Sequence, residues 1–396
     1  MLANRLENLG FSEIRKVYEE VNKRQELGLE TYNLLLGEPD FDTPKRIVES
    51  AIQSLSDGDT HYTSNFGLAS LRHLLAEKLV KENNIDATSN EILVTAGASE
   101  AIFLTMMAII NEGDEVLIPC PTWLNYASSC RIAGGTPVFV PLDGEKSEFS
   151  LHVETLELYV TPRTKLLVIV NPSNPTGMII NKEELEAISK FAIKNDLIVL
   201  ADEIYENIIF DDLKHVSIAS FPGMKERTIT INGFSKAYAM TGWRLGYVHA
   251  AETIMNGLVR IHQNNVSSLP CFSQKGAITA LMEAEKDVNE MRTQFNRRRD
   301  IVINILNQSP CFDVRPPRGA IYLLLDIKNT GKTSSEFASR LLEEAGVAVV
   351  PGTAFGIFGE GYVRLSFAAS EEVLQEACHR IVAFTEQIMK QEKSLL

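Results

Sequence analysis

Residues 228–246 read TITINGFSKAYAMTGWRLG, and the reading of this stretch decides the fold. The β-rich run from Thr228 to Ile231 predicts a strand, and Asn232-Gly233 reads as a turn signal at its end. Ser235 and Lys236 then leave the strand end. Arg244 follows eight residues after the lysine, and Gly242 and Trp243 between them suggest a sharp turn back to the same spot. One amine and one guanidinium are therefore expected to share a site. Mutual repulsion and partial burial favour the neutral amine that a Schiff-base lysine needs, while the arginine stays charged and suits a phosphate bidentately. An aldehyde carrying a phosphate satisfies both. Taken alone, the pair also reads as two of the 38 basic residues on a solvated surface, so the flanking segments have to decide.

Upstream, LIVLADEIYENIIF (197–210) carries an apolar strand, Leu197 to Ala201, that ends in Asp202, with Tyr205 just beyond. One strand and one connection separate this carboxylate from Lys236, which makes the two neighbours. KLLVIVNPSNPTGMII (165–180) stops a buried-type strand, Leu166 to Val170, at two X-Pro units, and Asn174 there offers both a donor and an acceptor. Ile92 to Thr95 reads as a strand, Gly97 as a turn and Ser99 to Ile110 as a helix, so the amides of Ala98 and Ser99 sit where an anion is favoured. Val116 to Ile118 leads to CPTWLNY (120–126), whose Trp123 either stacks on a flat heteroaromatic ligand or simply packs. With a helix over 182–194, the alternation from 90 to 250 predicts a mostly parallel sheet covered on both faces, whose ligand lies at the carboxyl ends of the strands.

The flanks add the rest. Residues 1 to about 30 read as an amphipathic opening helix, with Ser12 as N-cap and Ile14, Val17, Tyr18 and Val21 at helical spacing, serving as a packing arm. TYNLLLGEPDFDTP (31–44) turns at Gly37, Glu38, Pro39 and Asp40 into a loop that can sit over a site. A helix over 44–56 begins with Pro44 in its first turn. Tyr62 lies in a polar, turn-rich segment before a helix over 68–81, where its hydroxyl either reaches outward to a partner or is structural. A long helix through 291–306 carries Arg297 to Arg299, read as a solvated face. From 311 onward, short strands (320–326, 348–350, 362–367) alternate with helices (334–345, 371–387), a smaller α/β unit. Its Arg364 stands among apolar neighbours and needs a carboxylate from protein or substrate.

Composition bounds the function. At 396 residues and 45% hydrophobic, the chain can bury one large core or two domains. Fifty-two acidic against 38 basic side chains give a formal charge of −14, which opposes binding to nucleic acid and to anionic lipid. The first residues carry no apolar stretch of signal-peptide length, and no run approaches a membrane span, so a cytoplasmic protein is expected. Five cysteines without CxxC spacing read as reduced, mostly buried thiols, with no metal site.

Gly37, GASEA (97–101), PTW (121–123), NPSNPTG (171–177), DEIY (202–205), SKAYAMTGWRLG (235–246) and GYVRLSF (361–367) together resemble the pyridoxal-phosphate aminotransferases of classes I and II, over almost the whole chain. The resemblance implies the fold-type I architecture: an α/β protein whose large domain holds a mostly parallel sheet of seven-stranded type, with a smaller α/β domain. Its expected division is 1–45 as arm and part of the small domain, 46–285 as the large cofactor-binding domain and 286–396 as the small domain, in a homodimer. Lys236 matches the lysine that binds the cofactor covalently, Asp202 the partner of its pyridinium nitrogen, Tyr205 and Asn174 the groups on its phenolic oxygen, and Trp123 the stacking aromatic. Ala98, Ser99, Ser235 and Arg244 match the phosphate cup, and Tyr62 the tyrosine that reaches the neighbouring subunit's phosphate. Gly37, Asn174 and Arg364 match the binders of the substrate α-carboxylate. The activity implied is ping-pong exchange of an amino group between an L-amino acid and a 2-oxo acid such as 2-oxoglutarate. A C–S β-lyase of the same fold would keep Lys236, Asp202 and Arg364, and an effector sensor is the more distant alternative. Where aspartate-type members with a GGKQ-like loop carry a lysine, this chain has Ser99. FSEIRK (11–16) and HQNNVSS (262–268) look more like bacterial aromatic-type and N-acetyl-diaminopimelate-type members. Arg15 and Arg24 either meet an acidic side chain or lie on a helix surface.

Overall fold

The apolar runs that end at Asp202 and before Lys236 lie side by side, paired in parallel with Asp202 opposite Ile231. They belong to a seven-stranded sheet made of β1 (Ile92–Thr95), β2 (Glu115–Cys120), β3 (Thr136–Pro141), β4 (Thr164–Val170), β5 (Ile198–Asp202), β6 (Thr228–Gly233) and β7 (Gly246–His249). The order is β1-β7-β6-β5-β4-β2-β3, and β7 alone runs against its neighbours. The computed structural model describes residues 2–395 except 8, 11, 12 and 146, so the expected N-cap Ser12 lies outside the described residues.

Helices α1 (Glu13–Glu26), α2 (Lys45–Ser56) and α3 (Ala69–Asn83) precede the sheet. Within it come α4 (Ala98–Ile109), α5 (Asn125–Ile132), α6 (Val153–Tyr159) and α7 (Lys182–Lys194), and after it α8 (Glu252–Asn265), α9 (Cys271–Glu283) and α10 (Glu285–Leu306). Alternate strand residues explain the layering, because a pleated strand sends neighbours to opposite faces. Val116, Ile118, Leu166 and Val168 pack with α4, α5 and α8, whereas Leu117, Leu167 and Ile169 pack with α6 and α7 on the other side.

A second, three-stranded antiparallel sheet of β8 (Tyr322–Asp326), β9 (Val350–Pro351) and β10 (Tyr362–Ser366), in the order β8-β10-β9, is joined by α11 (Ser334–Ala345) and α12 (Glu371–Leu395). Tyr32–Asn33 pairs in parallel with Val347–Ala348, and the Ser366 amide donates to the Leu34 carbonyl at 3.0 Å. The segment after α1 is thus tied to the C-terminal region.

Several expectations are corrected. The opening helix is confined to Glu13–Glu26, and the last helix continues past 387 to Leu395. Pro44 is the N-cap of α2, with φ −49° and ψ 132°, rather than a first-turn residue. The expected strand at 348–350 changes partner at Val349. Asn232-Gly233 is strand and not turn: Gly233 is needed because a Cβ there would lie 2.9 Å from Gly246 Cα on the adjoining strand. Only Arg297 of the basic cluster faces solvent. Arg298 and Arg299 are buried in bidentate pairs, to Asp40 at 2.6 and 3.0 Å and to Asp211 at 2.7 and 2.8 Å. All five cysteines are buried and free. Among the described residues no helix is long and apolar enough to cross a membrane.

Candidate active site

The parallel strands end at one edge of the sheet, and their carboxyl-end loops enclose a cavity of about 400 Å³. Gly37, Ala98, Ser99, Trp123, Asn174, Asp202, Tyr205, Ser235, Lys236, Arg244 and Arg364 all line it. Tyr62 does not. It projects from the segment before α3, 94% exposed.

Chain direction explains the convergence. β5 delivers Asp202 and Tyr205, β6 delivers Ser235 and Lys236, β1 leads into the first turn of α4, and β4 leads to Asn174. Thr241–Trp243 forms a single tight turn, after which Arg244 sits in the left-handed region at φ 53° and donates from Nη1 to the Thr241 carbonyl at 3.0 Å. That turn carries the guanidinium over the N-terminus of α4. Gly97 holds φ 81°, which glycine adopts without strain, and a Cβ there would lie 2.7 Å from Arg244 Nη2, so a side chain would push the guanidinium away from this helix end. No side chain caps α4, whose first amides and positive dipole end remain available to an anion.

At the base of the cavity Asp202 is 3% exposed. Its Oδ2 accepts from the Tyr126 hydroxyl at 2.7 Å and its Oδ1 from the Ile204 amide at 3.1 Å. Burial pushes its carboxyl up to about 6, against the pull of the Tyr126 hydrogen bond. Burial also pushes the Tyr126 and Tyr205 phenols well up, so both are protonated donors at neutral pH. Tyr205 shares a hydrogen bond of 2.8 Å with the Tyr322 hydroxyl. Lys236 Nζ donates to the Gly37 carbonyl and lies 5.8 Å from the centre of the Tyr205 ring.

Arg364, on β10, is 2% exposed. Nη1 donates to Asn174 Oδ1 at 3.2 Å and Nη2 to the Leu35 carbonyl at 2.7 Å, with the rings of Tyr322 and Phe355 at 4.4 and 4.9 Å. Its Nε is buried without a hydrogen-bond partner, and no carboxylate among the described residues pairs with it. A buried guanidinium held by neutral groups is a receptor for an incoming anion.

The sequence left Tyr126 and Tyr322 unassigned, together with Ile14, Tyr18, Leu35, Leu36, Glu38 and Thr241 on the cavity wall. Tyr126 had a usable signal, since it stands three residues beyond Trp123, and their rings meet edge to face at 5.8 Å. Arg15 and Arg24 lie outside the wall: Arg15 pairs with Glu19 at 3.4 Å, and Arg24 Nε reaches Thr31 Oγ1 at 3.5 Å.

Comparison with known proteins gives one consistent result. Residues 30–381 match the family model for aminotransferase class I and II. An aspartate aminotransferase of Pyrococcus abyssi is 47% identical over 99% of both chains. An aromatic-amino-acid aminotransferase of Thermococcus litoralis is 44% identical, again over 99% of each. The solved structure of an aromatic aminotransferase from Pyrococcus horikoshii superposes with a TM-score of 0.88 at 46% identity, covering 94% of this chain and 99% of that one.

Proposed function

The chain belongs to the class I and II aminotransferases, fold-type I enzymes that use pyridoxal phosphate, and from this we propose a ping-pong enzyme that passes the amino group of an L-amino acid to 2-oxoglutarate. We assign it to the cytoplasm as a homodimer. Arg364 carries the reading: a buried cation without a carboxylate partner among the described residues faces the same cavity as Lys236 and Asp202, which is what capture of an amino acid by its α-carboxylate requires.

The residues fit the cofactor. The cradle between Gly97 and Arg244 has the charge and amides for a phosphate, with Ala98, Ser99 and Ser235 beside it. Trp123 would stack on the ring, Asn174 and Tyr205 would meet its phenolic oxygen, and Tyr62 of one protomer would reach the phosphate held by the other. When bound, pyridoxal phosphate supplies the electron sink that makes the amino acid's α-proton acidic. Asp202, held by Tyr126, would keep the proton on the ring nitrogen. Lys236 Nζ would hold the cofactor covalently and, once released, take the α-proton as a positioned base. Gly37, Asn174 and Arg364 would orient the α-carboxylate so that this proton faces the lysine.

The deciding experiment records near-visible absorption of the purified holoenzyme as single amino acids are added without any oxo acid. Spectral conversion with one equivalent of the matching oxo acid is expected. Release of ammonia and pyruvate instead would favour a lyase, and an absence of bound cofactor after reconstitution would remove the role of Lys236.

A further inference from the structure

We propose that Tyr322 is a positioning residue for this reaction: its hydroxyl donates to the Tyr205 oxygen and thereby commits the Tyr205 hydrogen to the cofactor's phenolic oxygen. The inference rests on the aminotransferase reading above and adds to it a residue to which the family resemblance gave no role. Three observations carry it. First, the two hydroxyls lie 2.8 Å apart and buried, with Tyr322 1% and Tyr205 3% exposed, and their rings meet edge to face at 5.8 Å. A phenol has one hydrogen to give, so only one of the pair donates to the other. An ionised phenolic oxygen on the cofactor can only accept. Tyr205, placed at that oxygen, must therefore direct its hydrogen there and accept from Tyr322.

Second, the surroundings of Tyr322 leave its hydroxyl little room to swing aside. Leu324 stands opposite Arg364 in the pairing of β8 with β10, and Tyr322, two residues earlier, presents to the same face. Its ring centre lies 4.4 Å from the Arg364 guanidinium carbon. On the other side a Cβ on Gly37 would lie 3.1 Å from the Tyr322 hydroxyl oxygen, so the glycine leaves the hydroxyl its place.

Third, the charges around the pair favour this direction. The guanidinium beside the Tyr322 ring favours negative charge on its oxygen, which makes that hydroxyl the better donor. Burial holds the Tyr205 phenol well above its usual range, so Tyr205 keeps the hydrogen it is to donate. A hydroxyl that accepts one hydrogen bond also donates its own more strongly, by about 10–30%.

The test is a pH titration of the near-visible absorption of the holoenzyme without substrate, which reads how well hydrogen bonds hold the cofactor's phenolic oxygen ionised. Tyr322→Phe keeps the ring over Arg364 and removes only the hydroxyl. Its titration midpoint should move up by about 0.4–1 pH unit, the size of one hydrogen bond. Tyr205→Phe should move it further. In the Tyr205→Phe background, adding Tyr322→Phe should leave the midpoint where it is, because the hydrogen that Tyr322 directs is gone. A second readout uses the cofactor-stripped protein, in which the two substitutions should be non-additive in a denaturant titration, as for partners in one bond. A downward shift in Tyr322→Phe overturns the proposal, since it would mean that Tyr205 had been donating to Tyr322; an unmoved midpoint overturns it as well. So does a shift that persists without the Tyr205 hydroxyl, which would make the effect one of packing. Additive effects in the stripped protein remove the bond itself. Failure of the parent protein to bind cofactor after reconstitution is a different result: it removes the aminotransferase reading, and this inference with it.

Discussion

Arg298 and Arg364 are both buried, at 7% and 2% exposure, and both stack against two aromatic rings, yet their surroundings differ in one respect. Arg298 meets Asp40 through two parallel hydrogen bonds, while among the described residues Arg364 donates only to an amide oxygen and a backbone carbonyl. The first is a finished structural pair. The second keeps its charge unanswered, a cost to the fold that persists where a ligand supplies the missing anion. Burial of a cation therefore says little about its role until its partners are counted.

The sharpest break between the two regions comes from the site lysine. Lys236→Ala should abolish transamination while thermal stability stays near that of the parent, since among the described residues the side chain makes a single hydrogen bond, to the Gly37 carbonyl. Measurable turnover above about one part in a thousand would contradict a role as base and covalent anchor.

Arg364→Met should come next. Loss of a desolvated, charge-assisted contact predicts a fall in kcat/KM on the order of a hundred- to a thousandfold, of similar size for every amino acid. Stability should hold or rise, because an unanswered buried charge disappears. Arg298→Met should show the reverse pattern. Asp40 would be left as a partly buried carboxylate without its cation, at a cost of about 2–3 kcal/mol in a denaturant titration. The effect on kcat/KM should be smaller and indirect, through the loop that carries Gly37 and Glu38. If the two variants cannot be told apart by stability and activity, the distinction between finished and unfinished pairs fails.

How far the sequence revealed this contrast depends on the distance between partners. The strand-end residues were legible because each follows a continuous apolar run, and parallel strands bring their carboxyl ends together without further information. Asp202 and Lys236 needed only adjacent strands. The family resemblance added roles that spacing does not contain, such as that of Tyr62. The buried pairs were illegible: Asp40 is 258 residues from Arg298 and Asp211 is 88 from Arg299, so RRR at 297–299 looked like a solvated face. Tyr322 stayed hidden for the same reason, meeting Tyr205 across 117 residues. Gly233 was misread because Asn-Gly marks a turn unless a neighbouring strand comes too close for a side chain, and that contact is tertiary.

A last effect tests the comparison by its sign, using two carboxylates of the cofactor-stripped protein. Burial raises Asp202 to about 6, above the usual carboxylate value, so the native state holds its proton more tightly than the unfolded chain. Its contribution to stability is full below about pH 4 and is lost as the pH rises through 6, a change of roughly 2–3 kcal/mol. Asp211 is opposite. Its hydrogen bonds from Arg299 hold it below the usual range, so its contribution is present above about pH 4 and is lost as the pH falls. Unfolding curves from pH 3 to 8, taken as differences from Asp202→Asn and from Asp211→Asn, should therefore slope in opposite directions. Wild type should lose ground to Asp202→Asn as pH rises through 6, and to Asp211→Asn as pH falls below 4. Slopes of the same sign would mean that the carboxylate at the strand ends is as fully matched as the one beside α10, and the reading of that edge as a place built to wait for its ligand would fall.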